Sequence, residues 1–419
     1  MNDPIPPSTL RQLLRPAVLV GALGYFVDIY DLVLFSIVRI PSLKALGVPA
    51  AEMAIQGLRL LNYQMAGMLV GGILWGVLGD IKGRRLLLFG SIALYSAATL
   101  ANGFVHSLDA YLFWRVLAGI GLAGELGGSM ALVTETLPRG LRGYGTMVVA
   151  TVGVFGAVVA SLVADALDWR NAYVIGGALG FLLLLLRVGV MESRLFENAV
   201  ARAEVSRGNF LSLFTDGDRL RRYLCCVFIG APLWYAVGIV VTLCPEFARA
   251  MGVQGVVTGS RGILWVYFGL TVGDFLTGTL SQVWCSRRKA ILVGLLWTVV
   301  FLSLYFTSHG RSTGAFYAVI FGLGIGIGYW AVFATVAAEQ FGTNLRATAA
   351  TTVPNFARGA LIPITWLFKS LTPGHGLLAA GAITGAVCLG IAFVALLNLR
   401  ETYGVDLDYL EGPTAPLPT

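Results

Sequence analysis

Twelve long apolar runs dominate the sequence and restrict the folds open to it. They lie near residues 17–38, 55–78, 86–105, 109–134, 146–166, 171–191, 223–244, 262–283, 290–307, 315–338, 350–371 and 376–398. A helix rises about 1.5 Å per residue, so about 20 apolar residues cross a hydrocarbon core of about 30 Å. Only 12% of the residues are charged, against roughly 25% in soluble domains. We therefore predict an all-α integral membrane protein with 12 transmembrane helices.

A transmembrane β-barrel and a cleaved signal peptide are both disfavoured. Barrel strands alternate apolar and polar residues, whereas runs such as residues 179–186 carry no polar residue. The first run is long and has no small-residue cleavage site behind it, so we interpret it as a retained helix.

A phrase repeated along the chain indicates two related halves. Glu135-Thr-Leu-Pro-Arg-Gly-Leu-Arg142 returns 204 residues later as Glu339-Gln-Phe-Gly-Thr-Asn-Leu-Arg346, and each copy closes a Gly-rich apolar run. Six apolar runs fall in each half. We predict two pseudo-symmetric six-helix bundles, residues 1–191 and 223–400, with a cytoplasmic linker at 192–222 and a cytoplasmic tail at 401–419.

The distribution of basic residues predicts the orientation. The longest segment between runs, the predicted linker, is rich in arginine, which the positive-inside rule places in the cytoplasm. Both termini would then be cytoplasmic, in a cell inner membrane. The net charge of +7 is explained by anionic lipid headgroups, without a nucleic-acid partner. The expected partners are the bilayer and a small-molecule substrate, and we expect a monomer.

The residues that usually build metal or catalytic centres are sparse. The five cysteines lack metal-site spacing and the three histidines all lie in loops. We therefore predict no metal, no cofactor other than coupling protons, and no enzyme activity. The Gly-rich stretch 322–328 lies inside an apolar run with no strand before it, so close helix packing is favoured over a nucleotide loop.

Charged residues inside the runs are the candidates for function, because a charge at mid-membrane costs about 2.5–3.5 kcal/mol. Asp28 and Asp31 share a face of the first run, and Arg115 lies at a similar depth in the fourth. Two acids and one base in a poorly hydrated site favour one carboxyl that binds and releases a proton. The alternatives are a static salt bridge and a direct substrate contact.

Two further charges have open interpretations. Glu125, deep in the fourth run, is either a second proton relay or a protonated structural acid. Arg358, in the eleventh run behind Asn355, is either a clamp for a carboxylate or phosphate, since its planar fork binds two oxygens, or the partner of Glu339. The other second-half positions that match the first-half charges are apolar or aromatic.

Aromatic residues in the helices expected to line a cavity are candidates for holding an apolar part of a substrate. Each of them can equally serve as packing or as an interface anchor. They are Tyr25, Tyr30, Trp234, Tyr235, Tyr329 and Trp330.

The motif Gly79-Asp-Ile-Lys-Gly-Arg-Arg85 lies between the second and third runs. Together with twelve apolar runs in two halves, it resembles the major facilitator superfamily. Within that superfamily, residues 24–31, 115–128 and 135–143 are similar to motifs of the metabolite:proton symporters, which carry small carboxylates and betaines. Glu401-Thr-Tyr-Gly404 resembles a sugar porter signature, but residues 232–235 replace the Gln-rich hexose motif of the sugar porters.

The resemblance implies a mechanism of alternating access, in which two halves rock around a central site. It also implies a proton site at Asp28 with Arg115 as its switchable partner, as in proton-coupled sugar porters. The loop motifs would form a cytoplasmic gate. Its residues are Asp80, Arg84, Arg85, Glu135, Arg142, Glu339 and Arg346.

These inferences together predict a proton-coupled symporter for a small organic anion or zwitterion. One net positive charge moved across 100 mV would supply about 2.3 kcal/mol. The alternative is a facilitator or exporter of sugars or amphipathic compounds. A membrane sensor would need an additional soluble domain.

Overall fold

The computed structural model describes residues 16–191 and 210–405, except residues 83, 126, 128, 130–136 and 138–141. Within these ranges the chain forms helices and no β-strand, so the all-α prediction is confirmed. The linker residues 192–209 and the tail from residue 406 lie outside the described residues.

Fourteen α-helices are described, six before the linker and eight after it. The first six are α1 Pro16–Ala45, α2 Met53–Lys82, α3 Arg84–Asn102, α4 Leu108–Leu122, α5 Arg142–Ala166 and α6 Trp169–Met191. The others are α7 Gly217–Tyr235, α8 Cys244–Ala250, α9 Gly259–Val283, α10 Arg287–Phe306, α11 Thr313–Ile327, α12 Trp330–Glu339, α13 Thr343–Gly359 and α14 Leu361–Asn398. A 3₁₀ turn at Phe210–Leu213 precedes α7, and a π turn at Ala236–Val241 extends it.

Nine helical stretches in the described part are long and apolar enough to cross a membrane. One of them, Thr348–Asn398, contains the eleventh and twelfth predicted segments. The third and fourth segments are not among the nine, and part of each lies outside the described side chains. The count of twelve crossings therefore stays a prediction.

Local chemistry explains where the helices begin and break. Helix α7 starts at Gly217, earlier than predicted, because the Asp216 carboxylate accepts hydrogen bonds from the backbone N–H groups of Asp218 and Arg219. In α14, Gly376 has a positive φ of 78°. Glycine adopts that conformation without steric cost, which permits the reversal between the last two predicted segments.

The helices pack into two groups with a helix-on-helix interface between them. Before the linker, α1 packs on α5 and α6, while α4 packs on α2 and α3; after it, α9 and α10 pack on α11, and α7 packs on α14. Across the interface, α2 contacts α13 and α5 contacts α9. The boundaries of the two predicted bundles stay predictions.

Glycines permit the closest helix approaches. A Cβ at Gly269 of α9 would lie 2.1 Å from the Phe321 carbonyl oxygen, and one at Gly324 of α11 would lie 2.2 Å from the Val266 carbonyl oxygen. The Gly-rich stretch 322–328 is thus packed against α9, as predicted. Large apolar side chains elsewhere are exposed, including Leu185 and Trp366 at 70% and 73%, which suits a surface that faces lipid.

Candidate functional site

A buried ion pair joins the two halves. Asp28 on α1 and Arg358 on α13 approach to 3.6 Å between Oδ2 and Nη2, and both side chains are fully buried. In this conformation Asp28 does not pair with Arg115, whose role as its switchable partner stays a prediction. Arg115 instead donates a hydrogen bond to Gln64 Oε1 on α2, and its guanidinium lies 5.0 Å from the Phe35 ring centroid.

The alternative partner considered for Arg358 is also not the one observed. Glu339 pairs with Arg287, at 3.3 Å between Oε1 and Nη2. Asp28 thus pairs with Arg358, and Glu339 pairs with Arg287. Helix packing decides both pairings.

The Asp28–Arg358 pair leaves much of its hydrogen-bonding capacity unused. Among the described residues, neither Asp28 oxygen has a hydrogen-bond donor, and Arg358 Nε and Nη2 have no acceptor. Arg358 Nη1 donates to Asn355 Oδ1 at 3.3 Å. Buried charges without hydrogen bonds are unfavourable. Within the described ranges, both Asp28 oxygens and two Arg358 nitrogens are therefore free to bond to another group.

Three aromatic side chains form a wall around the Arg358 guanidinium. Its Cζ atom lies 5.6 Å from the Trp234 ring centroid and 5.8 Å from that of Trp330, within cation–π range. Trp330 Nε1 donates to the Tyr25 hydroxyl across the interface at 2.9 Å. Trp234 Nε1 is buried without a hydrogen-bond acceptor in the described part of the chain. The aromatic wall therefore presents flat apolar ring faces and one hydrogen-bond donor, Trp234 Nε1, without an acceptor among the described residues.

The central site is closed in this conformation. The side chains of Asp28, Arg358 and the aromatic wall are each no more than 4% exposed. Asn355 helps to close it, since its Nδ2 donates to the Ala123 carbonyl oxygen on the other side of the interface at 2.8 Å. A ligand can reach the pair only when the halves separate on one side.

Asp274 on α9 was missed by the sequence analysis. It is 3% exposed, and its Oδ1 accepts a hydrogen bond from the Ala331 backbone N–H at 2.9 Å. That N–H belongs to the first turn of α12, where the chain breaks between Gly328 and Trp330. Asp274 thus caps the helix end that carries Trp330. Asp274 is not at a position that matches a first-half charge, so a comparison of matching positions does not find it.

Glu125 is bound in a second ion pair, inside the first half. Arg187 on α6 donates to both of its carboxylate oxygens, at 2.7 and 3.1 Å, and Ser129 Oγ donates at 2.7 Å. Both charged side chains are fully buried. Gly24 of α1 makes room, because a Cβ there would lie 2.2 Å from Glu125 Oε1. These contacts favour a structural role for Glu125, as an ion-pair partner of Arg187, over a proton relay.

Asp31 lies away from the central pair, against α6. A Cβ at Gly176 would lie 2.4 Å from Asp31 Oδ1, and Asp31 is 2% exposed. Its predicted role in proton coupling stays a prediction.

Three of the aromatic residues predicted to contact the substrate are hydrogen-bonded to the backbone instead. The hydroxyls of Tyr30, Tyr235 and Tyr329 donate to the backbone carbonyls of Ala172, Gly381 and Ile229, at 3.0, 2.5 and 2.9 Å. Each bond lies within one half. The geometry favours the packing alternative for these tyrosines, whereas Tyr25, Trp234, Trp330 and Asn355 join Arg358 at the centre.

Charged and polar contacts close one end of the interface. Arg39 Nη2 on α1 donates to both Glu246 oxygens on α8 at 2.7 and 2.8 Å, and to the Thr242 carbonyl oxygen at 3.0 Å. The Thr242 hydroxyl donates to Ser36 Oγ at 3.1 Å. By the orientation predicted from the basic residues, this is the outer end.

Of the residues predicted as a cytoplasmic gate, the side chains of Glu339 and Arg346 are described. The side chains of Asp80, Arg84, Arg85, Glu135 and Arg142 lie outside the described residues. Arg346 also has an interaction partner.

Glu401 ties the chain after α14 to the start of α10. It accepts hydrogen bonds from Ser286 Oγ and from the backbone N–H groups of Arg287, Arg288 and Tyr403. Burial alone would raise the pKa of Glu401, but these hydrogen bonds outweigh it and lower the pKa below its usual value.

Two helical groups that enclose a buried ion pair at their interface, and close over it at one end, have the architecture of a secondary transporter. The sequence matches the Major Facilitator Superfamily over residues 21–361. The chain therefore belongs to the Major Facilitator Superfamily, and the prediction of a multi-pass membrane transporter is confirmed.

Curated relatives cover most of the chain. The 3-(3-hydroxy-phenyl)propionate transporter of Escherichia coli is 25% identical, over 86% of this chain and 91% of its own. The niacin transporter NiaP of Acinetobacter baylyi is 23% identical, over 93% and 94%. The sialic acid transporter NanX of Escherichia coli is 24% identical, over 74% and 75%.

Proposed function

We propose that this transporter moves a small organic carboxylate together with protons, with Arg358 as the carboxylate site and Asp28 as the proton site. The observation that carries the proposal is the buried, weakly bonded ion pair between the halves. An arginine fork binds carboxylates through two parallel hydrogen bonds. Arg358 has two such donors without an acceptor among the described residues, at Nε and Nη2.

The surroundings of Arg358 favour a substrate with a planar ring. Trp234 and Trp330 lie on the guanidinium, their ring centroids are 6.1 Å apart, and Trp330 stacks on Phe333 at 4.7 Å. The two indoles meet edge to face, and a substrate ring would pair with this aromatic cluster in the same way when the halves separate. Niacin and 3-(3-hydroxy-phenyl)propionate, named for two of the relatives, both combine a ring with a carboxylate. We infer the same class of substrate here.

Coupling follows from competition for one guanidinium. Without substrate, the ionised Asp28 carboxylate neutralises Arg358. When Asp28 takes up a proton, Arg358 is left as an unpaired buried cation, which a substrate carboxylate then neutralises. Release of both substrate and proton on the other side restores the ion pair. The closed central site changes sides only when it holds no net buried charge, which couples the two fluxes.

This cycle has an energetic consequence. One proton and one monocarboxylate together carry no net charge, so the membrane potential does no work on their transfer. A pH difference of one unit then contributes about 1.4 kcal/mol, a tenfold accumulation at equilibrium. A second proton would make transport respond to the potential. We also propose, from the distribution of basic residues, an inner-membrane location with cytoplasmic termini.

Asp28→Asn separates coupling from binding. In proteoliposomes, this variant should lose accumulation of benzoate, niacin or 3-(3-hydroxy-phenyl)propionate driven by a pH gradient, while it still exchanges labelled for unlabelled substrate. The matched control is Asp274→Asn, which removes a buried carboxylate that is not among the predicted proton-coupling residues and keeps an acceptor for the Ala331 backbone N–H. Gradient-driven accumulation by Asp28→Asn at the wild-type level would overturn the proposed proton site.

Arg358→Gln tests the carboxylate site. Loss of a charge-assisted bond to a buried carboxylate costs about 1.5–3 kcal/mol, so affinity should fall about 10- to 150-fold. Arg358→Lys should retain part of it, because the charge remains but the fork is lost. Binding of neutral sugars or amphipathic cations, unchanged by Arg358→Gln, would instead support the facilitator or exporter alternative.

A further inference from the structure

A groove lies on the outside of the helix bundle, where α7 begins and α14 ends. Its volume is about 590 Å³. The α7 wall includes Leu224 and Phe228, and the α14 wall includes Ile391 and Val394. All four side chains are between 37% and 60% exposed, so this wall faces the bilayer.

Glycine creates the space in the groove. A Cβ built at Gly390 on α14 would meet no atom within 4 Å. The same holds for Gly217 at the start of α7. The space is therefore open for a long flexible chain, and it can be filled by a larger side chain without displacing its neighbours.

The mouth of the groove is basic. Arg221 lines it from α7 and Asn398 from α14. Arg221 Nη2 lies 2.8 Å from Asp218 Oδ1, but Asp218 also pairs with the buried Arg222, at 3.0 Å. The Asp218 carboxylate is thus shared by two guanidiniums and neutralises only one positive charge. Of the two arginines, Arg221 is the more exposed, at 48%.

Two more arginines add to the positive charge at this end. Arg288 Nη2 donates to the Leu397 carbonyl oxygen, one residue from Asn398, at 3.3 Å. Arg400 follows the end of α14 and lies within electrostatic range of Asp218. An apolar groove between membrane helices with a basic mouth matches a lipid that has acyl chains and an anionic headgroup.

We propose that this groove binds one anionic phospholipid, with an acyl chain between α7 and α14 and the phosphate at Arg221. The charge at the mouth distinguishes this occupant from a neutral lipid. The proposal is independent of the substrate, because the groove lies on the bilayer side and none of its residues belongs to the central site.

The test uses purified protein in detergent, supplied with phosphatidylglycerol or with phosphatidylcholine of the same acyl composition. Native mass spectrometry counts the retained lipid, and a thermal melt gives Tm. We expect retained phosphatidylglycerol and a Tm increase of at least about 2 °C over phosphatidylcholine. Equal responses to the two lipids would overturn the proposal.

Two variants, each with a control, test whether the bound phosphatidylglycerol lies in the groove. Arg221→Gln should lower the affinity for phosphatidylglycerol about fivefold and still fold, since Asp218 keeps Arg222. The control is Arg249→Gln, which removes an exposed arginine beyond the far end of α7. Equal losses in both variants would show a general charge effect and overturn the assignment.

Gly390→Leu should fill the groove and abolish the retained lipid. Its control is Gly278→Leu on α9, where a Cβ also meets open space but lies outside the groove. If Gly390→Leu keeps the full response to phosphatidylglycerol, the groove is not the binding site. The two controls and the melt of lipid-free protein identify a variant that merely fails to fold.

Discussion

The contact of Arg39 with Glu246 should control how often one end of the transporter opens. This ion pair joins α1 to α8 across the interface, and Arg39 is 1% exposed while Glu246 is 21% exposed. The bond exists only while this end is closed. A substitution that weakens it therefore shifts the equilibrium toward the open conformation by the lost free energy.

The geometry sets the size of the shift. Glu246→Gln keeps one acceptor oxygen but loses the charge and one of the two bonds to Arg39 Nη2, at 2.7 and 2.8 Å. A hydrogen bond between charged groups contributes about 1.5–3 kcal/mol. Taking about 2 kcal/mol, and about 1.4 kcal/mol per factor of ten, the open fraction should rise about 30-fold.

A cysteine at Ser36 reports opening. Ser36 is 4% exposed and contacts Thr242 across the interface, so a maleimide reaches position 36 only when this end opens. The background carries Cys285→Ser, which removes the exposed native cysteine; the four others are buried. The labelling rate of purified Ser36→Cys protein should rise with the open fraction.

A neighbouring ion pair supplies the matched control. Arg261 and Asp165 also bridge the halves, at 3.7 Å, but their side chains are 63% and 38% exposed. Exposed pairs contribute at most about 1 kcal/mol, so Asp165→Asn should change the labelling rate less than about fivefold.

Two results would refute the reasoning about this closure. One is an unchanged labelling rate in Glu246→Gln, and the other is an equal rise in Asp165→Asn. Arg39→Gln with Glu246→Gln should also be far from additive, because either change alone breaks the same contact.

Three other contacts lead to measurable predictions. Arg187→Met should destabilise the protein by about 3–5 kcal/mol, because it leaves the buried Glu125 without its ion-pair partner. Adding Glu125→Gln should recover most of this loss in a thermal melt, and no recovery would show that the pair is not its source. Asp274→Ala should weaken substrate binding about 5- to 30-fold, because loss of the helix cap costs about 1–2 kcal/mol and releases the helix end that carries Trp330. Asp274→Asn keeps an acceptor, so its substrate affinity and tryptophan fluorescence should be nearly those of the wild type. Equal losses in the two variants would contradict capping. The lowered pKa of Glu401 means that its contribution to stability is present above its usual pKa and is lost as pH falls through the lowered value. Hydrogen-exchange protection factors near residues 399–405, which are corrected for the intrinsic effect of pH on exchange, should therefore fall on acidification in wild type but be low at every pH in Glu401→Gln. A fall on acidification that survives this change would contradict the role of the carboxylate.

The sequence was enough to single out buried charges of the first half as candidates for function but not to find their partners. Asp28, Arg115 and Glu125 stand out because ionisable groups are costly in apolar runs. The same criterion, applied to every run, would also have found Arg187 and Asp274. Asp274 was omitted because the second half was compared with the first position by position, whereas the two halves carry their charges at different positions.

The partners of these buried charges depend on how close helices that are far apart in the sequence come to one another. Asp28 and Arg115 lie at similar predicted depth, yet Asp28 faces α13 and Arg115 faces Gln64 on α2. Depth follows from counting residues along a helix at about 1.5 Å each. Rotation of the helix about its axis does not follow from such counting, since it is set by packing against several neighbours at once.

The sequence alone determined that this chain is a helical membrane protein of the major facilitator type, because long apolar runs and loop motifs are local properties that hydropathy and spacing reveal. The tertiary structure decided which charges meet. Arg358 reaches Asp28, Arg39 reaches Glu246 and Arg187 reaches Glu125 only because α13, α8 and α6 pack where they do. A buried charge needs a partner within about 4 Å to offset its desolvation, and only the packed helices fix which partner lies that close.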